Sequence, residues 1–318
     1  MQQMLNGARR DHGNSTSGTV STVYPALGAV DPGLFGIAVA EVGGQVTEVG
    51  DARVPFALMS CAKPFVFALV CQETGLQQVR ETVGVNATGL PFNSASAVER
   101  DPYSRTNPMV NAGALVAIGM VLGASVDEQW TRITGVLSGF AGRRLDIDDL
   151  MYASVSKSNH RNRALANLLF DRGALAGDPD QATELYTRVS CLEVTARDLS
   201  VMGATLANRG VNPVTGVPVV DAEVARASVA VMATAGLYET TGDWLMDVGL
   251  PAKSGIGGGI FTVAPGKLGL GSYAPRLDPA GNSVNGQLVA QQLSRDLELD
   301  IFAPPPHGAV AGATSDLE

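Results

Sequence analysis

The tetrad Ser60-Cys61-Ala62-Lys63 contains the residue types of a serine nucleophile and its base. Residues three apart share one face of a helix, so the Lys63 amine can reach the Ser60 hydroxyl. A partly desolvated lysine has a lowered pKa and can take the hydroxyl proton. With Ser60 as the N-cap, the helix start also favours a developing alkoxide. Such a tetrad is more often a cap and a surface lysine, but the apolar segment behind it favours chemistry here.

A second motif, Lys253-Ser254-Gly255, precedes a glycine-rich segment and a run typical of a strand. Glycines let a substrate approach the backbone, and a free N–H at a strand edge can hold an oxyanion. In serine acyl-transferases of the penicillin-recognising type, a K-T-G or K-S-G strand faces the S-x-x-K helix. Alone the motif is an ordinary turn with a solvated lysine. Together with Ser60 and Lys63, in this order, it indicates an acyl-transfer site.

Four further polar residues stand out against apolar surroundings. Asn111 begins an apolar segment, and Asn162 lies in a short basic segment. Tyr186 and Tyr238 are two of only six tyrosines, and the turn before Tyr238 could direct its phenol into a cleft. Taken alone, Asn111 is more often a helix cap, Asn162 part of a solvated basic turn and each tyrosine a core residue, and a role in ligand binding stays open.

Composition and charge exclude several classes of protein. The chain has 318 residues, 45% of them hydrophobic and 17% charged, which is a globular composition. Its 22 basic and 31 acidic residues give a net charge of −9, which speaks against a nucleic-acid partner. Of three histidines, His12 and His307 fall in predicted tails, so His160 alone is a poor basis for a triad or a metal site.

The number and spacing of the cysteines indicate the redox state of the cellular compartment. Cys61, Cys71 and Cys191 form no C-x-x-C pair and are too few for a disulfide framework or a zinc cage. They indicate reduced thiols. No signal-like segment and no apolar window of membrane-spanning length occurs. We therefore expect a cytoplasmic protein with no membrane partner, no cofactor and no metal.

The elements that must position these residues follow the order hairpin, helical block, hairpin, terminal helix. Gly43-Gly44 and Pro265-Gly266 are the turns of the two hairpins, because each separates two β-leaning apolar runs. Apolar residues at helical spacing fill the middle of the chain. The predicted segments are strands at 34–42 and 45–49, a buried helix at 61–70, a helical block at about 110–235, a second hairpin at 257–275 and a helix at 286–299.

These segments predict an α+β fold, a form of α/β architecture. One antiparallel sheet, assembled from both ends of the chain, is flanked by helices and interrupted by a mostly helical inserted lobe. Residues 1–20 and 304–318 are predicted to be flexible tails, and 21–303 a single domain. Its sheet lobe takes about 21–62 and 222–303, and its helical lobe about 63–221.

Taken in order, segments from about Pro32 to Phe302 resemble the serine-dependent glutaminase family, which is similar in fold to β-lactamases and penicillin-binding proteins. The matching segments include GDARVPFALMSCAKPFVFAL, NPMVNAGALV, RNRALANLL, ATAGLYETTGDW and GLPAKSGIGGGI. The resemblance implies a β-lactamase-like fold. It also implies hydrolysis of L-glutamine, a small-molecule substrate, to L-glutamate and ammonia through an acyl-enzyme, and a homo-oligomer, either dimer or tetramer.

The resemblance also implies roles for single residues. Ser60 matches the nucleophile, Lys63 its base partner and Tyr238 a tyrosine that helps to shuttle the proton. Ile256 matches a hydrophobic residue whose backbone N–H joins that of Ser60 in the oxyanion hole. The implied substrate-binding set is Ser60, Asn111, Asn162, Tyr186, Tyr238 and Ile256.

Three departures from the family pattern concern substrate recognition. Val155 stands where the family has a substrate-binding glutamate. Val23 occupies the register of a family tyrosine, with Tyr24 beside it, and the segment 86–89 reads N-A-T-G in place of E-P-S-G. Loss of a carboxylate that pairs with a ligand ammonium can cost about 2 kcal/mol. The changes keep the acyl-transfer residues and alter those that recognise an amino acid.

Two alternatives to a glutaminase therefore stay open. The first is a serine amidase or esterase of the same fold that acts on an amide without a free α-ammonium. The second is a divergent binding protein that keeps the pocket without turnover. Turnover of neutral or N-acylated amides would distinguish the first, and ligand-induced stabilisation without ammonia release the second.

Overall fold

A five-stranded antiparallel sheet forms the centre of the computed structural model, which describes residues 1–303. The strands are, in chain order, β1 (Thr19–Val20), β2 (Gly36–Glu41), β3 (Val46–Gly50), β4 (Phe56–Ala57), β5 (Glu193–Val194), β6 (Ala252–Ser254), β7 (Gly259–Ala264), β8 (Leu268–Tyr273) and β9 (Arg276–Leu277). The central sheet has the order β3-β2-β8-β7-β6. Two short pairs, β1 with β9 and β4 with β5, lie outside it.

Both predicted hairpins are confirmed as β2–β3 and β7–β8. Their turns contain Gly44 at φ +92° and Gly266 at φ +71°, in the left-handed region that glycine adopts without a steric cost. Strand β2 also pairs with β8, with Gly36 opposite Tyr273. The two ends of the chain therefore build one sheet, as the sequence predicts.

Helices cover both faces of the sheet. Within residues 1–303 they are α1 (Gln2–His12), α2 (Pro25–Gly28), α3 (Lys63–Thr74), α4 (Leu76–Val83), α5 (Ser96–Arg100), α6 (Asn111–Gly119), α7 (Val126–Ala141), α8 (Asp149–Ser158), α9 (His160–Asp171), α10 (Pro179–Ser190), α11 (Ala196–Ala207), α12 (Ala222–Ala235), α13 (Thr241–Val248) and α14 (Val284–Asp296). The predicted helical block and terminal helix are thus confirmed. None of these helices is long and apolar enough to cross a membrane.

Helix α11 packs directly on the strands, and glycines make this approach possible. A Cβ atom on Gly269 of β8 would lie 2.2 Å from the backbone nitrogen of Ala204, and one on Gly271 would lie 2.2 Å from the carbonyl oxygen of Ala196. The opposite face of the sheet carries α1 and α14. Helix α3 is central to the larger apolar core, because residues 63–71 are all buried.

The first twenty residues are not a flexible tail, so that prediction is wrong. Residues Gln2–His12 form α1, whose Leu5 and Ala8 are fully buried against the sheet and α14. The ring nitrogen Nε2 of His12 lies 2.8 Å from Oε1 of Gln292 on α14. The predicted tail 304–318, with His307, lies outside the described residues. The division of 21–303 into a sheet lobe and a helical lobe stays a prediction.

Candidate active site

Ser60 and Lys63 are in direct contact at the start of α3. The Nζ atom of Lys63 donates a hydrogen bond to Oγ of Ser60 at 2.6 Å. Ser60 is not the N-cap that the sequence suggests, because Met59–Ala62 form a 3₁₀ turn and α3 begins at Lys63. Met59 has φ +48°, a left-handed conformation that costs a non-glycine residue about 1–3 kcal/mol. Such strain persists only where surrounding contacts enforce it, as at functional sites.

The Lys63 side chain is buried, with 4% of its surface exposed. Burial lowers the pKa of Lys63 well below its ordinary value, and the nearby Lys253 lowers it further, while Cys61 opposes the shift. A neutral amine has a lone pair that can accept a proton. The contact with Ser60 therefore has the geometry that general-base catalysis requires, and the lowered pKa of Lys63 favours the neutral amine.

Tyr238 lies in a 3₁₀ turn, Tyr238–Thr240, and also has a left-handed backbone, with φ +58°. Its hydroxyl donates to the carbonyl oxygen of Ser254 at 3.2 Å, and its ring lies 4.7 Å from that of Phe92. Burial raises the pKa of Tyr238, and a hydrogen bond with Ser60 opposes the rise. The phenol is therefore protonated near neutral pH and lies close to the serine hydroxyl.

Lys253 of β6 is fully buried beside this tyrosine. Its Nζ donates to the carbonyl oxygens of Gly236 and Ser254, both at 2.8 Å, and lies 4.0 Å from the centre of the Tyr238 ring. Burial lowers the pKa of Lys253 to about 7, with Cys61 opposing. The K-S-G motif pointed to this strand, but the burial of Lys253 could not be inferred from it.

The amide residues form one continuous chain of hydrogen bonds. The Tyr186 hydroxyl donates to Asn111 Oδ1 at 3.1 Å, Asn111 Nδ2 to Asn162 Oδ1 at 2.9 Å, and Asn162 Nδ2 to Asn159 Oδ1 at 2.6 Å. Asn159 Nδ2 in turn donates to Thr187 Oγ1 at 2.8 Å. Sequence analysis missed Asn159; its spacing of three from Asn162 was the available signal.

The direction of this hydrogen-bonded chain is fixed at its far end. The Thr187 hydroxyl gives its single proton to the carbonyl oxygen of Thr183 at 2.7 Å, so its oxygen can only accept from Asn159. Each amide must therefore accept a hydrogen bond through its oxygen and donate one through its nitrogen. Within residues 1–303, each of these amide nitrogens makes one hydrogen bond, so its second N–H is not engaged by another described residue.

A cavity of about 80 Å³ opens onto these groups. Of the predicted site residues, the structure brings Ser60, Asn111, Asn162, Tyr186 and Ile256 into its wall, with Lys63 and Tyr238 close behind Ser60. The further lining residues include Val23, Tyr24, Phe92, Val155 and Arg161.

The backbone that precedes Ile256 lies against that of Ser60. A Cβ atom on Gly255 would lie 3.2 Å from the backbone nitrogen of Ser60 and 3.2 Å from the carbonyl oxygen of Leu58. The segments that carry the two predicted oxyanion-hole N–H groups are therefore adjacent. Segment 86–89 is elsewhere, in a larger open groove between α4, α5 and α12 that contains none of the predicted site residues.

The described residues contain no metal-binding cluster. Within 1–303, no three His, Cys, Asp or Glu side chains are grouped so that they could hold a metal ion. His160 is exposed at the start of α9. The side chains gathered at the cavity are a serine hydroxyl in contact with a buried lysine amine, together with hydrogen-bonded amides.

Comparisons with known proteins agree on one family. A glutaminase family model matches residues 18–302. Glutaminase 2 of Yersinia pestis is 52% identical, over 96% of this chain and 90% of that protein. The glutaminase of Colwellia psychrerythraea is 40% identical, over 95% and 97%. A solved structure of a probable glutaminase has a TM-score of 0.94 at 36% identity, covering 95% of this chain and 98% of that one. These similarities confirm the predicted β-lactamase-like fold.

Proposed function

The chain belongs to the glutaminase family, and from that premise we propose that it hydrolyses L-glutamine to L-glutamate and ammonia through an acyl-enzyme on Ser60. The observation that carries the proposal is the 2.6 Å contact between the buried Lys63 amine and the Ser60 hydroxyl. A serine hydroxyl is a weak nucleophile until a base takes its proton, and a neutral lysine amine can do so.

In the first half-reaction, Oγ of Ser60 attacks the carbon of the side-chain amide while Lys63 takes the hydroxyl proton. The carbonyl oxygen becomes an oxyanion, which accepts hydrogen bonds from the backbone N–H groups of Ser60 and Ile256. Tyr238 passes a proton to the amide nitrogen, the C–N bond breaks and ammonia leaves. Loss of one oxyanion donor typically costs about 10²-fold or more in rate.

In the second half-reaction, water attacks the ester carbon of the acyl-enzyme. The proton transfers then run in the reverse sense. Tyr238 takes a proton from the water, and Lys63 returns a proton to Ser60 as L-glutamate leaves. Asn111, Asn162 and Tyr186 hold the remainder of the substrate, and their fixed chain of hydrogen bonds supports this role. Preorganised contacts of this kind are what positions a substrate for attack.

The direct test is ammonia release by the purified protein over a wide range of L-glutamine concentration, repeated with hydroxylamine present. We expect saturable release, and in hydroxylamine the formation of a γ-glutamyl hydroxamate, because the amine intercepts the acyl-enzyme before water does. Saturable ammonia release with no hydroxamate would contradict the acyl-enzyme. A folded protein that releases no ammonia would contradict the glutaminase proposal.

Gly255→Ala should lower kcat about 10-fold with little change in KM, because the added methyl group presses on the Ser60 backbone beside the oxyanion hole. The neighbours it would meet are backbone atoms, which cannot rotate away. Gly135→Ala on α7 is the matched control, since a Cβ atom there meets no atom within 4 Å. Unchanged kcat in Gly255→Ala would place the oxyanion elsewhere.

We further propose a homo-oligomer, a dimer or tetramer, in the cytoplasm. Large apolar side chains such as Leu150 and Met246 are exposed, at 82% and 88%, and burial between subunits would remove them from water. The three cysteines are all buried and free, which fits a reducing compartment. Light scattering on the purified protein measures the number of subunits directly.

A further inference from the structure

Three of the side-chain amides that line the cavity beside Ser60 form a hydrogen-bonded chain of fixed direction. The side-chain oxygens of Asn111, Asn162 and Asn159 already accept from Tyr186, Asn111 and Asn162 respectively. The direction of these bonds is fixed by Thr187, so the amides cannot turn to present their oxygens instead. A ligand in this cavity therefore meets amide N–H groups whose second hydrogens can still be donated.

The described residues that line the cavity also provide no negative charge. Among the described residues that line it, none is Asp or Glu, and Arg161 is the one residue with a permanent positive charge. Val155 in its wall is apolar and 1% exposed. The Glu184 carboxylate is on α10, as is the cavity-lining Tyr186. It accepts hydrogen bonds from the Tyr152 hydroxyl at 2.5 Å and from Arg188 at 2.8 Å.

These features fit a carboxylate and not an ammonium group. A ligand carboxylate gains charge-assisted hydrogen bonds from N–H donors. A ligand ammonium brings a positive charge into a cavity whose described lining residues include no carboxylate, and a charge without a charged partner is costly to remove from water. The cavity thus favours the carboxylate end of an amino acid and gives its ammonium no charged partner.

We infer that this site recognises its substrate through a carboxylate and gains nothing from a free α-ammonium. Its preferred substrate class is the terminal amide of a five-carbon dicarboxylic acid whose α-carbon carries no charged nitrogen. The inference rests on the proposed function, because it assigns a substrate class to the same acyl-transfer site. L-glutamine remains a substrate, held by its carboxylate and its amide.

The first experiment compares L-glutamine with 4-carbamoylbutanoate, which is glutamine without its amino group. We expect the wild-type protein to release ammonia from 4-carbamoylbutanoate with kcat/KM at least equal to that for L-glutamine. Release from L-glutamine with kcat/KM about 10-fold or more above that for 4-carbamoylbutanoate would overturn the inference and leave the proposed function intact. Release from neither amide would overturn both.

The second experiment places a carboxylate in the wall through Val155→Glu, with Val155→Gln as the uncharged control of similar size. A glutamate should attract the ammonium and repel a substrate that is only anionic. We expect it to lower the KM for L-glutamine and to shift the ratio of the two kcat/KM values toward L-glutamine by about 30-fold.

The ratio is insensitive to a general loss of active protein, because both substrates are measured on one preparation. The Gln variant should shift it by less than about threefold, since it supplies no charge. An unchanged ratio in the Glu variant, or an equal shift in the Gln variant, would overturn the inference. If neither variant folds, the wild-type comparison decides alone.

Discussion

Ser60→Ala should abolish ammonia release from L-glutamine, with kcat lowered on the order of 10⁴-fold or more. The substitution removes the atom that we propose forms the covalent bond to substrate, and within residues 1–303 the Ser60 hydroxyl is the one side-chain hydroxyl that accepts a hydrogen bond from Lys63. Ligand binding should persist, because the chain of amides around Asn111 and Asn162 is untouched. The measurements are ammonia release and the shift of the melting temperature on addition of L-glutamate.

Lys63→Met should give a loss of the same order, because Ser60 then keeps its proton. Methionine is the correct replacement, since it keeps most of the side-chain volume. Alanine is unsuitable at this position, because Lys63 is buried among core residues of α3. Truncation to alanine would therefore leave a cavity, which destabilises a fold.

A lysine outside the site provides the control for this pair. Lys267 follows the β7–β8 turn and its Nζ donates to the carbonyl oxygen of Glu298 at the surface. Lys267→Met should keep kcat within about twofold of wild type, as is usual for surface substitutions that leave the fold intact. Near-full activity in Lys63→Met would rule out the Ser/Lys mechanism, whatever the result for Ser60→Ala.

The sheet was predictable because its turns are encoded locally. Gly44 and Gly266 adopt left-handed conformations that few other residues tolerate, and β-leaning runs flank both. Helix α3 was equally visible, as the apolar run from Pro64 to Cys71 with Gly75 shortly after it. Where neighbouring residues alone determine the structure, the sequence is sufficient to identify it.

Helix α1 was missed because its stability comes from distant contacts. Its sequence is mostly polar, and only Leu5 and Ala8 enter the core, against the sheet and α14. Two buried apolar residues in eleven give too weak a periodicity to distinguish a packed helix from a polar tail. Helix α14, on which α1 packs, is remote in sequence: its Gln292 contacts His12 across 280 residues of chain.

The fold brings five of the predicted residues, Ser60, Asn111, Asn162, Tyr186 and Ile256, to one cavity, and their catalytic and binding roles stay predictions. The electrostatics of the cavity could not be predicted, because the pKa of Lys63 depends on burial and on Lys253, which is remote in sequence. The direction of the amide chain depends on Thr187 and Thr183, which no motif marks. The pKa of Lys63 and the direction of the amide chain depend on which residues the fold brings together, so they cannot be inferred from the sequence.

Lys253→Met should lower kcat about 10²-fold and move the acidic limb of the kcat/KM profile to higher pH. Lys253 is fully buried and is not among the residues that line the cavity, so we expect it to position Tyr238 through its contacts with the Tyr238 ring and the Ser254 carbonyl. Misplacing a group that transfers a proton typically costs 10²-fold or more. The shift of the limb has a separate, electrostatic cause.

The sign of that shift follows from the charges. Below about pH 7 Lys253 carries a proton, and its charge lowers the pKa of Lys63. Methionine removes the charge, so the pKa of Lys63 rises and a higher pH is needed to keep its amine neutral. The base form that takes the Ser60 proton is then lost earlier as the pH falls.

Stability against pH gives an independent measurement on the same variant. Because the pKa of Lys253 is lowered to about 7 on folding, the unfolded chain binds more protons between pH 7 and the ordinary lysine value of 10.5. The free energy of unfolding of the wild type should therefore rise across this window, and Lys253→Met should flatten the rise. A variant that loses stability while its kcat/KM limb stays in place would show that Lys253 only supports the fold; a limb displaced to higher pH shows that the two buried lysines are electrostatically coupled.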